Sequence, residues 1–363
     1  KRLLFQYGDE IMSSSFKRAK AIVFERPYKA TVKSIRLPAV DDETIVVKTS
    51  FSGVSLGTEM KLYRGQSIDK GSEIWYPMIP GYEQVGQIVY VGDRVRPQDA
   101  GYLPRIGDRV MANEIRYFPD YCHAWGGQVS LSIKNPTVAD SVGDALAKIP
   151  DEISDEEAVA AYIPSVALKG IKRLRPADGE TILVTGCGQM GLAAVQLIKI
   201  YADCRVIAMD CRHIRAERAR PYADYVIDSS STDSVEAVRE ITGGYGVDAV
   251  MECSGDSDII NTLNCYVKSG GWTDAEPPVR IHLQGDYPHP IILTPYQKWF
   301  VTNATITMSC ANGPGHKTEV LSLIASGKLK VDFSPVYDVN DAPRAYEEID
   351  RNYYDMVKPV FCW

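Results

Sequence analysis

The sequence predicts an α/β fold in two parts: a mostly β region that comes first, then a parallel sheet linked by helices. Three observations lead there. Residues 20–150 carry short alternating apolar runs, Ala21–Phe24, Thr44–Ser50, Val85–Val91 and Arg109–Ala112, separated by Gly, Pro and Asp. From Glu180 onward, β-branched apolar runs alternate with segments of helical spacing, the pattern of strands joined by crossovers. The chain of 363 residues is also longer than one hydrophobic core usually supports.

The first region has irregular strand spacing and no repeat, which suits a compact, partly open barrel. Residues before Met12, which precedes a Ser-Ser-Ser run, are set aside from the fold. Near Pro150 the pattern changes. Ser154 followed by Glu157 reads as a capping box, starting a helix at Asp155 that runs towards Ala161 and is interrupted at Pro164. A second helical stretch, Val166–Leu174, ends before Pro176. Then come a strand at Thr181–Thr185, a helix at Gly191–Tyr201, a strand at Arg205–Met209, a helix at Ile214–Arg220 and a strand at Tyr225–Ile227. A helix at Ser234–Ile241 and a strand at Ala249–Glu252 follow. Asp274–Pro290, with His282 and His289, reads as a surface loop, or more sharply as a lid or dimer contact. Phe300–Ser309 is β-rich. From about Thr305 the chain returns to strand, helix (Lys317–Ser326) and strand, and is expected to fold back onto the first region.

Composition narrows the function. A net charge of −7 argues against nucleic acid or an anionic membrane as partner. No apolar run reaches the length of about 18 residues that a spanning helix needs. Lys1 to Lys20 lacks the apolar core of a signal peptide, so a cytoplasmic location is expected. The eight cysteines form no CxxC pair and are expected to be reduced and mostly buried, Cys253 and Cys310 included.

The sharpest motif is Gly186-Cys187-Gly188-Gln189-Met190-Gly191, between an apolar strand and an apolar helix, with Asp210 closing the next strand. That context is what a Rossmann dinucleotide fingerprint requires. Gly186 permits the tight turn and Gly188 lets backbone approach a pyrophosphate at the helix start, beside Gln189 and Met190. Gly191 allows close helix–strand packing. Asp210 is expected to accept from the adenosine ribose 2′-hydroxyl and to repel a 2′-phosphate, which favours NAD. Arg212, two residues on, would serve a phosphate instead.

With these residues the chain resembles the medium-chain dehydrogenase/reductase superfamily, the zinc-type alcohol dehydrogenases and their relatives. Gly81-Tyr82-Glu83-Gln84-Val85-Gly86 resembles its Gly-His-Glu-x-x-Gly segment, and Gly107-Asp108-Arg109-Val110 its Gly-Asp-Arg-Val turn. Glu252-Cys253-Ser254-Gly255 resembles the Glu-x-x-Gly that ends a strand beside the nicotinamide, which makes Cys253 and Ser254 cofactor candidates. The resemblance runs from about residue 18 to the C-terminus. It implies a GroES-like, partly open β-barrel catalytic domain (1–155 and 306–363) with a Rossmann doubly wound parallel sheet (156–305) inserted in it. It also implies an active site in the cleft between them, a small-molecule substrate, and a homodimer paired through an edge strand near Phe300–Ser309. Lys358 resembles a basic residue that reaches the cofactor pyrophosphate, with a surface lysine as the plainer reading.

The zinc ligands of that superfamily are not matched. Its Cys position holds Leu56, or Ser55 if one residue is inserted. Its His position holds Tyr82, and Ala161–Ser165 offers no third ligand. Residues 113–127 supply only Cys122 and His123 where the superfamily has a four-Cys loop. No metal is therefore expected, and the chain looks like a branch of the superfamily without the ligands, one that includes relatives of bacteriochlorophyllide dehydrogenases.

Side chains would then polarise the substrate. Thr58 matches a hydroxyl relay residue, with a helix cap as the bland alternative. Lys61, one turn on, would assist it or lie on the surface. Tyr82 would donate to a carbonyl or simply wall the site. Glu83 would act there or pair structurally with an Arg near the nicotinamide end. His123 would complete a proton relay or face solvent. Tyr63, Arg64, Tyr117 and Trp125 suggest a polar, aromatic pocket for a sugar, a cyclitol or a large ring. Three functions remain open: zinc-free NAD-dependent oxidation of a secondary alcohol, reduction of an activated C=C or carbonyl with NAD(P)H, and a non-catalytic nucleotide sensor.

Overall fold

The computed structural model describes residues 16–66, 73–112, 119–134, 145–273, 276–287 and 290–363. Tyr117, His289, Asp274 and the Met12 boundary lie outside them.

The chain opens with β1 (Arg18–Arg26), β2 (Lys29–Arg36), β3 (Ile45–Gly53), α1 (Thr58–Arg64), β4 (Met78–Ile79) and β5 (Glu83–Val91). β6 (Arg109–Met111), β7 (Cys122–His123), β8 (Leu131–Lys134), β9 (Ala147–Lys148) and α2 (Asp155–Val159) follow. The capping box at the start of α2 forms as expected. The Glu157 amide donates to the Ser154 hydroxyl at 3.1 Å, and the Ser154 amide to the Glu157 carboxylate at 2.9 Å.

Next come α3 (Tyr162–Leu174), β10 (Thr181–Thr185), α4 (Gln189–Tyr201), β11 (Arg205–Asp210), α5 (His213–Ala219), β12 (Tyr225–Asp228) and α6 (Ser234–Ile241). β13 (Ala249–Glu252), α7 (Ser257–Ile260), β14 (Arg280–Leu283), α8 (Tyr296–Phe300) and β15 (Thr305–Met308) complete that stretch. The chain then runs through α9 (His316–Ala325), β16 (Val336–Asp338), α10 (Ala342–Arg351) and β17 (Val360–Cys362).

Two compact units result. One comprises residues 1–162, 317–326 and 331–363; the other comprises 163–316 and 327–330. In the first, a four-stranded sheet runs β2-β1-β4-β7, and a larger sheet runs β16-β17-β3-β5-β6-β9 with β8 also on β3. β17 pairs antiparallel with β3, Val360 opposite Gly53, so the returning chain completes the first region's sheet. This is the GroES-like barrel. Its core stacks Phe24, Tyr63, Tyr346 and Phe361, with ring centroids 4.9 to 5.6 Å apart.

The second unit is a six-stranded, wholly parallel sheet in the order β12-β11-β10-β13-β14-β15, a doubly wound Rossmann sheet. Its central strands β10, β11 and β13 are mostly apolar and buried, as expected where helices cover a parallel sheet. Among the described residues, no helix is long and apolar enough to cross a membrane.

Several expectations change. Pro164 does not interrupt a helix; it sits in the first turn of α3, where a missing N–H is harmless. Asp274–Pro290 is not simply a surface loop, because it contains β14. His282 is fully buried there, bonded to Thr307 at 2.8 Å, Ser309 at 3.0 Å and Gln284 at 3.1 Å. Burial lowers its pKa to about 4, so it is a neutral sheet residue. The seam expected at 305 falls instead near residue 316, since β15 pairs in parallel with β14. Phe300–Ser309 divides into the end of α8 and β15. The eight cysteines are free, but Cys211, Cys265, Cys310 and Cys362 are exposed.

Candidate functional site

In the parallel-sheet unit, the glycine turn is shaped by what its glycines leave out. Gly186 has φ +83°, and a Cβ there would lie 2.7 Å from the Ser254 backbone. A Cβ on Gly191 would lie 1.8 Å from the Gly186 carbonyl oxygen. A Cβ on Gly188, the residue that caps α4, would meet nothing within 4 Å. Two glycines thus permit close packing, and the third borders open space at the N-terminus of a 13-residue helix that begins Gln189-Met190. That is the cradle a pyrophosphate needs, so the residues fit a dinucleotide.

Asp210 ends β11, is buried, and binds the turn directly. One carboxylate oxygen accepts from the Cys187 amide at 2.7 Å, the other from the Arg212 amide at 2.8 Å. Each oxygen keeps a lone pair for a further donor. Arg212 is exposed at the start of α5. Cys253 is half-buried and Ser254 exposed, just past the end of β13.

The first unit holds a second cluster. Gly81, at φ +91°, turns the chain tightly against Gln128 and presents Tyr82 immediately before β5. The Tyr82 phenol donates to the Ser55 hydroxyl at 2.5 Å and is also hydrogen-bonded by Thr58. Burial pushes the Tyr82 pKa far above its ordinary value, helped by the charge of Glu83, so the phenol keeps its proton. Trp125 stands edge-on to Tyr82 at 5.5 Å and Tyr162 lies 5.0 Å away, ring centroid to centroid. Trp125 holds φ +70°, a conformation costly for a bulky residue and sustained by its surroundings.

Buried polar groups brace the loop that carries Ser55. The Gln128 side-chain amide donates to the Gly53 carbonyl at 3.0 Å, and Lys358 donates to the Val54 carbonyl at 3.1 Å. The Ser55 amide donates to Glu59 at 3.3 Å. Glu59 also accepts from the Tyr346 phenol and, at 3.2 Å, from Gln128. Burial raises its pKa to about 7, with nearby Glu83 adding to the rise.

Lys358 is neither a surface lysine nor aimed at a phosphate. It is fully buried, with Nζ 2.6 Å from both carboxylate oxygens of Glu83. Glu83 is accordingly a structural partner. Thr58 is the first residue of α1, whose cap is Gly57, and Lys61 lies half-buried one turn on. His123 is exposed, because β7 points Cys122 inward and His123 out. The structure gathers Tyr82 and Thr58, and it sets His123 and Lys358 apart from that role.

Sequence reasoning passes over Glu59, Tyr162, Gln128 and Tyr287, and takes Glu252 only as part of a motif. An acid in the first turn of a short helix reads as solvated, and the Tyr346 that buries Glu59 is 287 positions away. The contact between Ser55 and Tyr82 favours the alignment with one inserted residue. Ser55, Tyr82 and Tyr162 then stand where zinc ligands would. A hydroxyl and two phenols, one firmly protonated, do not fit zinc, which takes thiolate, imidazole or carboxylate. Among the described residues, no three His, Cys, Asp or Glu side chains group as a metal site.

The barrel, the doubly wound sheet and the glycine turn together define an alcohol dehydrogenase-type fold. A family model described as zinc-binding dehydrogenase matches residues 190–326. D-arabinitol dehydrogenase 1 of Uromyces fabae is 28% identical over 264 residues, 69% of this chain and 72% of its own. D-xylulose reductase of Saccharomyces cerevisiae is 25% identical over 359 residues, 94% of this chain and 97% of its own. Alcohol dehydrogenase TADH from Thermus sp. ATN1 superposes with a TM-score of 0.79 at 24% identity, over 94% of this chain and 99% of that one. The chain is thus similar to zinc-type alcohol and polyol dehydrogenases, and it is an oxidoreductase.

Proposed function

We propose that the protein interconverts a secondary alcohol and its carbonyl with NAD, using Tyr82 in place of a zinc ion. The observation that carries this reading is the Tyr82–Ser55–Thr58 hydroxyl group, walled by Trp125 and Tyr162. A nicotinamide held by the glycine turn supplies the hydride acceptor or donor. The chain's own residues manage the oxygen. The firmly protonated Tyr82 donates a hydrogen bond to the carbonyl or alkoxide oxygen, stabilising the charge that develops there. Ser55 accepts from Tyr82 in the absence of substrate and so holds the phenol in place. Thr58 passes the hydroxyl proton out to solvent, while the charge of Lys61, one turn along α1, lowers the cost of the alkoxide.

Asp210 supports NAD over NADP, since its carboxylate, fixed by two backbone amides, would repel a 2′-phosphate. Aromatic walls beside clustered hydroxyls suit a polyhydroxylated substrate, a sugar or cyclitol, and the arabinitol and xylulose relatives support that class. The exposed β15 edge with Met308, together with exposed Ile292, Tyr296 and Phe300, supports a homodimer. A neutral phenol would also serve a conjugated carbonyl, which needs less polarisation. Reduction of an activated C=C or carbonyl is therefore the second reading.

The test is turnover of a panel of polyols and cyclitols with NAD and NADP by protein stripped of metal. NAD-linked oxidation that survives chelation supports the proposal. Activity that appears only on adding zinc, or only with NADP, rejects it.

A further inference from the structure

Glu252 ends β13 and is fully buried. Its carboxylate accepts from the Ser254 amide at 2.7 Å, from the Ser254 hydroxyl and from the Tyr287 phenol, with the Thr185 hydroxyl at 3.4 Å. All of these donors are neutral. Among the described residues, no lysine or arginine forms an ion pair with it, whereas Glu83, equally buried, has Lys358. Burial pushes the Glu252 pKa up while the hydrogen bonds from Ser254 and Tyr287 pull it back.

Its position matters as much as its charge. Glu252 lies opposite Thr185, across the β10–β13 pair where the strand order reverses. Ligands of open α/β sheets bind outside the carboxyl ends of the strands at such a point. The Gly186 turn abuts the Ser254 backbone, and a Cβ on Gly285 would lie 2.6 Å from Gly255 and 3.0 Å from the Tyr287 ring. The ends of three strands therefore converge around one buried carboxyl group that, among the described residues, has no cationic partner.

We infer that Glu252 makes this unit bind the oxidised, cationic nicotinamide more tightly than the reduced, neutral one. The inference rests on the nicotinamide reading proposed above. The two redox forms share adenosine, riboses and pyrophosphate, and they differ by one positive charge on the nicotinamide ring. A group that senses that charge changes the ratio of the two affinities and nothing else. A solvated acid would do so weakly. A desolvated carboxylate surrounded by neutral donors acts across a medium of low polarisability, and the ring is the first cation to approach it. By linkage, the affinity ratio sets the potential of the bound couple, about 30 mV for each tenfold in a two-electron exchange.

The experiment is calorimetric titration of the wild type and Glu252→Gln with NAD+, NADH and ADP-ribose. The variant should lower the ratio Kd(NADH)/Kd(NAD+) by about tenfold while ADP-ribose binds within about twofold of wild type. An unchanged ratio overturns the inference and leaves the nicotinamide reading intact. Wild-type protein that binds none of the three ligands removes both. Should Glu252→Gln lose ADP-ribose binding through misfolding, the double variant Glu252→Gln/Tyr287→Phe, which removes the charge together with one of its donors, is titrated in its place: the same fall of about tenfold is expected, and an unchanged ratio overturns the inference.

Discussion

The glycine turn and the hydroxyl cluster solve opposite problems. At Gly186, Gly188 and Gly191, binding depends on side chains that are missing, so that backbone meets backbone or lies open to a phosphate. At Tyr82, Ser55 and Thr58, it depends on side chains that are present and held in place by Glu59, Gln128 and Lys358. The first site is made within six consecutive residues. The second draws on residues spread over most of the chain. A short motif can therefore be exact in sequence, while a braced pocket can accept a different group at one position, as we propose for the Tyr82 phenol.

The largest expected effect is at the closest contact. Gly191→Val drives a side chain into the Gly186 carbonyl and should cost about 4 kcal/mol or more in urea unfolding, with nucleotide binding lost. Gly188→Ala, with open space around it, should leave stability within about 0.5 kcal/mol. Equal effects at the two positions would break the contrast between packing and open cradle. Lys358→Met strands a buried carboxylate and should cost about 3–5 kcal/mol, much of it recovered in Glu83→Gln/Lys358→Met. A double variant as unstable as the single one would argue against the pair.

Tyr82→Phe should lower kcat/KM by about 10²-fold with the Kd for NADH unchanged, which steady-state rates and fluorescence titration would show. Loss of NADH affinity instead would move Tyr82 out of the oxygen-polarising role. Glu59 has a smaller effect that depends on pH. The folded chain holds the Glu59 proton up to about pH 7, against an ordinary glutamate value of 4.5. The folded state therefore binds more protons than the unfolded chain over that interval. The stabilisation is complete below about pH 4.5 and is lost as pH rises through about 7. Glu59→Gln should flatten that slope in urea titrations, and an unaltered slope would assign the pH dependence elsewhere. His123→Ala, on an exposed strand position, should change rate and stability least, and a rate loss above about tenfold would restore it to the relay.

Most of the parallel sheet was legible because local pattern sets it. β10, α4 and β11 follow from apolar runs and a glycine turn that are continuous in sequence. His282 was misread because a polar residue in a loop-like stretch gave no hint that Thr307 and Ser309 would satisfy it on a neighbouring strand. Lys358 was misread for a related reason. Its sequence context, Val357-Lys358-Pro359, does not announce a buried lysine, and the explanation lies at Glu83, 275 positions earlier. Trp125 was noticed as a candidate wall, but its left-handed backbone and edge-on contact with Tyr82 emerge only in three dimensions.

The tie between Lys358 and the Val54 carbonyl spans 304 positions, and Trp363 reaches back to Ser52, in the strand leading into that loop, at 2.7 Å. During synthesis the ribosome makes the Ser55 loop about 300 residues before the Lys358 that braces it. The parallel-sheet unit is complete in sequence before then and can fold as the chain emerges, since domains generally fold as units. The hydroxyl cluster of the first unit is thus left without this brace in a nascent chain until Lys358 has been added.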